Sequence, residues 1–546
     1  MMKKTIKYIA AFFIAGVLFN SCETAELDLT EDPNALTPAQ ADPDFYLNVI
    51  QEDFARMVES LGETMAEVSR IENMGSRDYQ NAYSPASFDN EWEEAYQQIL
   101  KNIKDMNVLT NEGGLTNHTA MGQFYEAYTI TLLVDMFGDV PYSQALQAPE
   151  ILNPAPDAGA DVYAAALGLL DNAIANFNAD GSVDPQNDFF YGNDYDQWIL
   201  ACNTLKLRLY KNTGNNAAFN SIIASGDFIA DSDDDMQFQW GTNQVQPDTR
   251  HPDYADNYTA TGGADYGSIY IMNMMDTSND PRIRYYYYRQ NAVVPGSDGE
   301  APNEETLDCS LQAPPAQYAA GGFPFCTLPN GYWGRNHGND SGIPPDGLLR
   351  VVPGVYPVAG KFDDSSFDES GLGAGGGGNG VTPVLLASTV DFWRAEVATS
   401  GGAAAAKPFL LDGIAKSIAK VQTFGSKDSD ADLSTAPTEA DVTAFLAAVE
   451  ADFDAANDEG KLNIWAEQFL ISLKGNGHDG YNMYRRTGYP TNIEPNLELN
   501  PGAFIRSFFY PANAANTNSA LSQKQNVTGQ VFWDTNPASP GFPVGN

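Results

Sequence analysis

The sequence predicts an all-α body of stacked helix pairs, interrupted by a long loop-rich, aromatic-rich insertion. Three observations predict it. Apolar residues recur at spacings of about three and four, the mark of one buried helix face. The stretches that carry this spacing are separated by short loops and show no strand-like alternation. Between about 214 and 385 the chain is instead dense in Gly, Pro, Asn, Asp and aromatic residues.

The N-terminus comes first. Lys3, Lys4 and Lys7 precede an apolar run from Ile9 to Phe19. That is a charged region and an apolar core of signal-peptide length, too short to span a bilayer as a helix. The run ends Phe19-Asn20-Ser21-Cys22 and turns at once acidic. It resembles a bacterial lipobox with phenylalanine in place of the usual leucine. The expectation is a signal peptide over 1–21, lipidation of Cys22, and an extended tether over 22–40. The alternative is an ordinary signal peptide with an incidental cysteine. No later stretch offers a bilayer span; the nearest, from Tyr128 to Phe137, is broken by Thr129, Thr131 and Asp135.

The body, 41–546, divides into helical pairs over 41–213, the loop-rich region over 214–385, and C-terminal helices and turns over 386–546. Trp92, Tyr96, Ile99, Ile103 and Met106 lie on one helical face, with Asp89 where an N-cap belongs. A second helix over about 117–137 is stopped by Gly138 and Pro141. The pattern recurs over 161–177 and 194–212. Helix pairs that cannot bury their faces alone stack into solenoids. The tetratricopeptide consensus itself is absent, so periodicity supports an all-helical, solenoid-like body and no more. Helical spacing returns at about 386–399, 410–424, 438–456 and 461–474, and the end from about 475 reads as loop and turn.

The middle region contains DSDDD (231–235), YYYY (285–288), YWGRNHGNDSGIPPDG (332–347) and GLGAGGGGNG (371–380). Its many aromatics argue against disorder. The glycine run is the expected mobile piece, and alternation would turn about half of the four tyrosines inward.

A formal net charge of −43 disfavours nucleic acid, which rewards Lys and Arg against phosphate. Cys202 reads as a buried small hydrophobe. Cys309 and Cys326 bracket a loop in an exported chain and predict a disulfide; metal binding there lacks the paired-cysteine or histidine spacing. The histidines, His118, His251, His337 and His478, form no metal motif. Asp231, Asp233 and Asp235 have EF-hand spacing, but Met236 and Thr242 stand where glycine and glutamate belong, so a solvated acidic turn is expected. There is no nucleophile elbow or P-loop, and carboxylates are too numerous for a glycosidase pair to be picked out by counting. No cofactor, metal or catalytic activity is expected.

Several strings together resemble the SusD-like/RagB family of nutrient-binding outer-membrane lipoproteins. They are LDLTEDPNALTP (27–38), the helix around Trp92 and Tyr96, LLVDMFGDVPYSQAL (132–146), NDPR (279–282), YWGRNHGNDSGIPPDG, YPVAGKF (356–362), DGYNMYRRTGYP (479–490), AFIRSFFYP (503–511) and VFWD (531–534). The long glycine-rich stretch and the imperfect lipobox depart from the family pattern. The resemblance implies four tetratricopeptide-like helix pairs whose loops form the ligand face. It further implies a lid-like partnership with a SusC-like TonB-dependent transporter in the outer membrane, and uptake of an oligosaccharide or other nutrient without catalysis. Glu23 and Glu26 fit the acidic signal that accompanies surface export in the family.

A sugar site needs flat rings beside hydrogen-bonding groups. Tyr332 and Trp333 with Arg335, Asn336 and His337 supply both within one short string; Trp240, Tyr318 and Phe323 are further candidates. Packing of Trp333 onto the body is the competing reading. Trp92, Trp198 and Trp465 are expected in the core, and Arg485, Arg486 and Tyr489 are expected to fix the C-terminal turn. Two rival functions stay open beside nutrient capture: a lipid-anchored hydrolase, and a structural lid with little ligand contact of its own.

Overall fold

The computed structural model describes residues 41–179, 182–293, 307–342 and 344–538. The signal segment, Cys22 and the whole of the 22–40 tether lie outside them. The body begins at α1 (Pro43–Val68), whose buried face runs through Leu47, Ile50, Phe54, Leu61 and Met65. α2 (Lys101–Gly113) and α3 (Thr116–Phe137) form the first short-loop pair. Gly114, at φ 68°, supplies the left-handed residue that ends α2. α4 (Gly159–Phe177) and α5 (Tyr195–Asn212) follow, and α3, α4 and α5 pack in succession. The Asp194 carboxylate caps α5 by accepting the Gln197 amide at 3.3 Å.

α6 (Asn216–Ser225) and α7 (Ile269–Ser278) lie in the loop-rich region. The C-terminal half holds α8 (Ala387–Ala398), α9 (Lys407–Gln422), α10 (Glu439–Ala455) and α11 (Asp458–Ser472), again packed as neighbours. The fold is the all-helical, tetratricopeptide-like superhelix. Its strands are short antiparallel pairs: β1 (Val140–Pro141) with β2 (Pro156–Asp157), β3 (Met236–Gln239) with β6 (Val381–Leu385), and β4 (Tyr287–Arg289) with β5 (Val351–Pro353). Among the described residues no helix is long and apolar enough to cross a membrane.

Trp198 and Trp465 are fully buried, and Trp92 packs half-buried against the same core. Other expectations are corrected. Asp89 is not an N-cap: a 3-10 turn over Pro85–Phe88 runs straight into the helix, and the Asp89 carboxylate instead accepts the Asn513 amide at 2.8 Å. The segment after 475 is not all turn. It contains α12 (His478–Thr487), which lies against α1. Nearly every residue of α12 is buried, polar ones included, so its polar face meets bonding partners in the body where the sequence suggests solvent.

All four tyrosines of 285–288 are buried. Tyr285 and Tyr286 end a helical turn while Tyr287 and Tyr288 open β4, so strand alternation never governs the run. The glycine run is packed. Gly376 and Gly378 donate backbone bonds to Gly360 and Ala359, and a Cβ on Gly375 would lie 2.2 Å from the Gly360 carbonyl oxygen. Close approach of two backbone segments is what those glycines permit. In the acidic turn, the Asp235 side chain is covered, bonded to Lys420 at 2.6 Å and to the Ala387 amide at 2.7 Å, while Asp231 and Asp233 are exposed.

Candidate ligand cleft

An open cleft of about 740 Å³ lies between the loop-rich region and α10. α7 ends at Asn279, which adopts φ 53° as the left-handed cap. The chain then turns through Asp280-Pro281-Arg282. Arg282 is fully buried and clamps Asp280 through two bonds, with Gln468 and Ser417 completing its donors. This fixes the floor of the cleft and aims Arg284 and the following strand along one wall.

Arg289 on β4 organises that wall. Its guanidinium makes two bonds to Asp363 and one to the Asn330 carbonyl at 2.8 Å. It also lies 4.9 Å from the Tyr332 ring centre and 5.1 Å from that of Phe367. A cation in contact with two rings holds both in place. Arg284 bonds the Asp363 carbonyl at 2.8 Å and Ser365 Oγ at 3.2 Å, bracing the loop that presents Phe367. Ser365 and Phe367 both have positive φ, 68° and 57°. Non-glycine residues held there concentrate at functional sites. Phe445 from α10 faces these groups across the cleft. Flat apolar surface thus alternates with guanidinium, amide and carboxylate groups. Burial raises the Asp276 carboxyl above its usual range, against the opposing charge of Arg289.

The string 332–337 does not form one platform. Tyr332 borders the cleft, though its ring is largely covered. Trp333 is 2% exposed, donates its indole N–H to the Val293 carbonyl at 3.1 Å, and packs with Tyr266 beside the Cys309–Cys326 disulfide. Arg335 turns the other way. It stacks on Tyr266 at 3.6 Å and lines a separate acidic cavity. Asn336 bonds the Cys326 amide and Glu494, and His337 contacts the Tyr79 hydroxyl at 3.2 Å, both fully buried. Burial and the Arg70 charge hold the His337 imidazole neutral, well below its usual pKa.

Trp240 is buried and donates to Thr382 Oγ at 2.9 Å. Tyr318 is buried, bonded to the Pro495 carbonyl; Phe323 is half-buried against it. These rings pack loops onto the body in place of facing solvent, because each loop has little other apolar surface to bury. The sequence reading missed Arg284, Arg289, Phe367 and Phe445. Only NDPR was visible beforehand, as a family string, and its role proves to be the floor.

A rigid helical scaffold presenting a cleft of mixed ring and polar character is a binding architecture. Residues 33–303 match a family model, SusD-like, described as starch-binding and associating with the outer membrane. The chain belongs to the SusD-like family, a family of binding proteins. No curated protein matches the chain. Solved structures do. A SusD homologue of Bacteroides fragilis NCTC 9343 is 17% identical, with 91% of this chain and 99% of that one covered and a TM-score of 0.61. A SusD/RagB family protein of Bacteroides thetaiotaomicron is 18% identical, with 91% and 99% covered and a TM-score of 0.62. A chitin-binding SusD homologue of Flavobacterium johnsoniae is 17% identical, with 90% and 99% covered and a TM-score of 0.59.

Proposed function

We propose that this protein is a cell-surface outer-membrane lipoprotein that captures an oligosaccharide in the cleft and delivers it to a SusC-like TonB-dependent transporter. The observation that carries the ligand site is the Arg289 clamp, whose one guanidinium lies 4.9 Å from the Tyr332 ring centre and 5.1 Å from that of Phe367. It fixes the part-exposed Phe367 ring at the rim of an open cleft beside Arg284, Asn279 and Asn330, groups suited to sugar C–H faces and hydroxyls. Tyr332 is the member of the sequence-derived set that borders this cleft. The lipobox at Cys22 and the family's association with the outer membrane support the anchoring. The transporter partnership rests on the family resemblance.

Calorimetry on the purified protein tests the ligand reading. One relative is a chitin-binding protein, so chitooligosaccharides are the first probe and maltooligosaccharides the second. The expected result is binding by the wild type and about tenfold or greater weakening by Phe367→Ala, which is ~1.4 kcal/mol, with an unchanged melting temperature. Weakening confined to variants away from the cleft removes the site. If the wild type binds neither glycan class nor any other offered oligosaccharide, the structural-lid reading takes its place.

A further inference from the structure

Glu59 on α1 reaches toward the segment that begins at His251. One donor atom from each of Glu59, His251 and Asp253 lies within 4.8 Å of the others. His251 Nε2 is 3.5 Å from Glu59 Oε1. His251 is fully buried beside the Val381 backbone, and neither ring nitrogen reaches full hydrogen-bond geometry with any partner. An imidazole taken wholly out of water and left unbonded is costly unless something absent occupies its lone pair. The other Glu59 oxygen is already held, accepting from the Thr382 hydroxyl, which in turn accepts the Trp240 indole N–H. That outer bond orients the carboxylate and leaves Oε1 facing the imidazole, as supporting bonds do around metal ligands.

We propose that Glu59, His251 and Asp253 bind one divalent first-row transition cation. One imidazole nitrogen and two carboxylates are the donor types of such ions. Bonds of 2.0–2.1 Å in tetrahedral array put neighbouring donors ~3.4 Å apart, which matches the separation of His251 from Glu59. Calcium, which takes six to eight oxygens, does not suit the set. Asp253 also lines a 140 Å³ cavity bordered by Glu63, Glu67, Glu72 and Asp265. That cavity is an acidic route of entry for a cation. A bound ion would tie α1 to the loop-rich region. The site shares no residue with the glycan cleft and stands or falls apart from it.

The test is Zn²⁺ titration of the chelator-treated full chain by calorimetry, with melting followed in parallel. One equivalent of Zn²⁺ should bind and raise the melting temperature. His251→Gln and Asp253→Asn should each weaken binding at least tenfold. Should His251→Gln fail to fold, Asp253→Asn, at a half-buried position, decides alone. Failure of the folded wild type to bind Zn²⁺ overturns the site, as does equal binding by the folded variants. Binding of Ca²⁺ in preference to Zn²⁺ also overturns it.

Discussion

His478 Nε2 donates to Asp135 Oδ2 at 2.8 Å across 343 residues of sequence. The same carboxylate accepts from Asn482 at 2.8 Å, from the Trp533 indole at 2.9 Å and from the Tyr163 hydroxyl. The Asp135 carbonyl accepts from Arg485 at 2.8 Å. One fully buried side chain on α3 thus collects α4, α12 and the C-terminal segment. Burial alone would raise the Asp135 carboxyl, but the His478 bond and charge, with the Tyr163 bond, lower it below its usual value.

Asp135→Ala leaves four buried donors without an acceptor. Removing one partner from such a network costs ~3–5 kcal/mol. Denaturant unfolding should show that loss. A fall below about 1 kcal/mol would mean that water or a rearranged His478 replaces the carboxylate.

Trp333→Ala should act on stability. Its ring is buried against Tyr266 and the disulfide, so truncation should cost ~3 kcal/mol or more and lower the melting temperature clearly. Unchanged melting with weakened glycan affinity would restore the ring to the ligand face.

Stability should fall as pH rises from about 4.5 to about 8. Burial raises Glu67 to about 8, partly offset by the Tyr83 bond, and raises Glu494 to about 7, from ordinary values of 4.5. A carboxyl whose folded pKa is raised holds its proton more tightly when folded. Its contribution is complete below pH ~4.5 and is lost as pH climbs through 7 and 8. Melting at pH 5.5 should therefore exceed melting at pH 8.5, by on the order of 1–3 kcal/mol. Glu67→Gln should flatten the difference. Asp479 runs the other way: burial opposes, but Arg208 and Lys211 hold it well below 3.8, so its contribution is lost in strong acid.

Cys22→Ser should release the protein from membranes or leave it unprocessed. Fractionation of that variant with outer membrane, in a strain lacking the transporter, would refute lipid anchoring.

The sequence by itself determined the helices with contrasting faces, such as α4 and α5, because an amphipathic element writes its burial into its spacing. It also paired Cys309 with Cys326 as an expectation, and the structure joins them. It could not reveal α12, which is buried on all sides, because its polar residues find partners such as Asp135 hundreds of positions away. Nor could it sort the aromatics of the middle region. Tyr332 and Trp333 are adjacent in sequence, yet one borders the cleft and the other backs the disulfide. Which way each ring turns is decided by Arg289, Val293 and Tyr266, side chains that only the tertiary structure brings beside them. The same holds for Glu59, His251 and Asp253, whose spacing along the chain matches no motif and whose proximity comes from packing α1 against the loop-rich region.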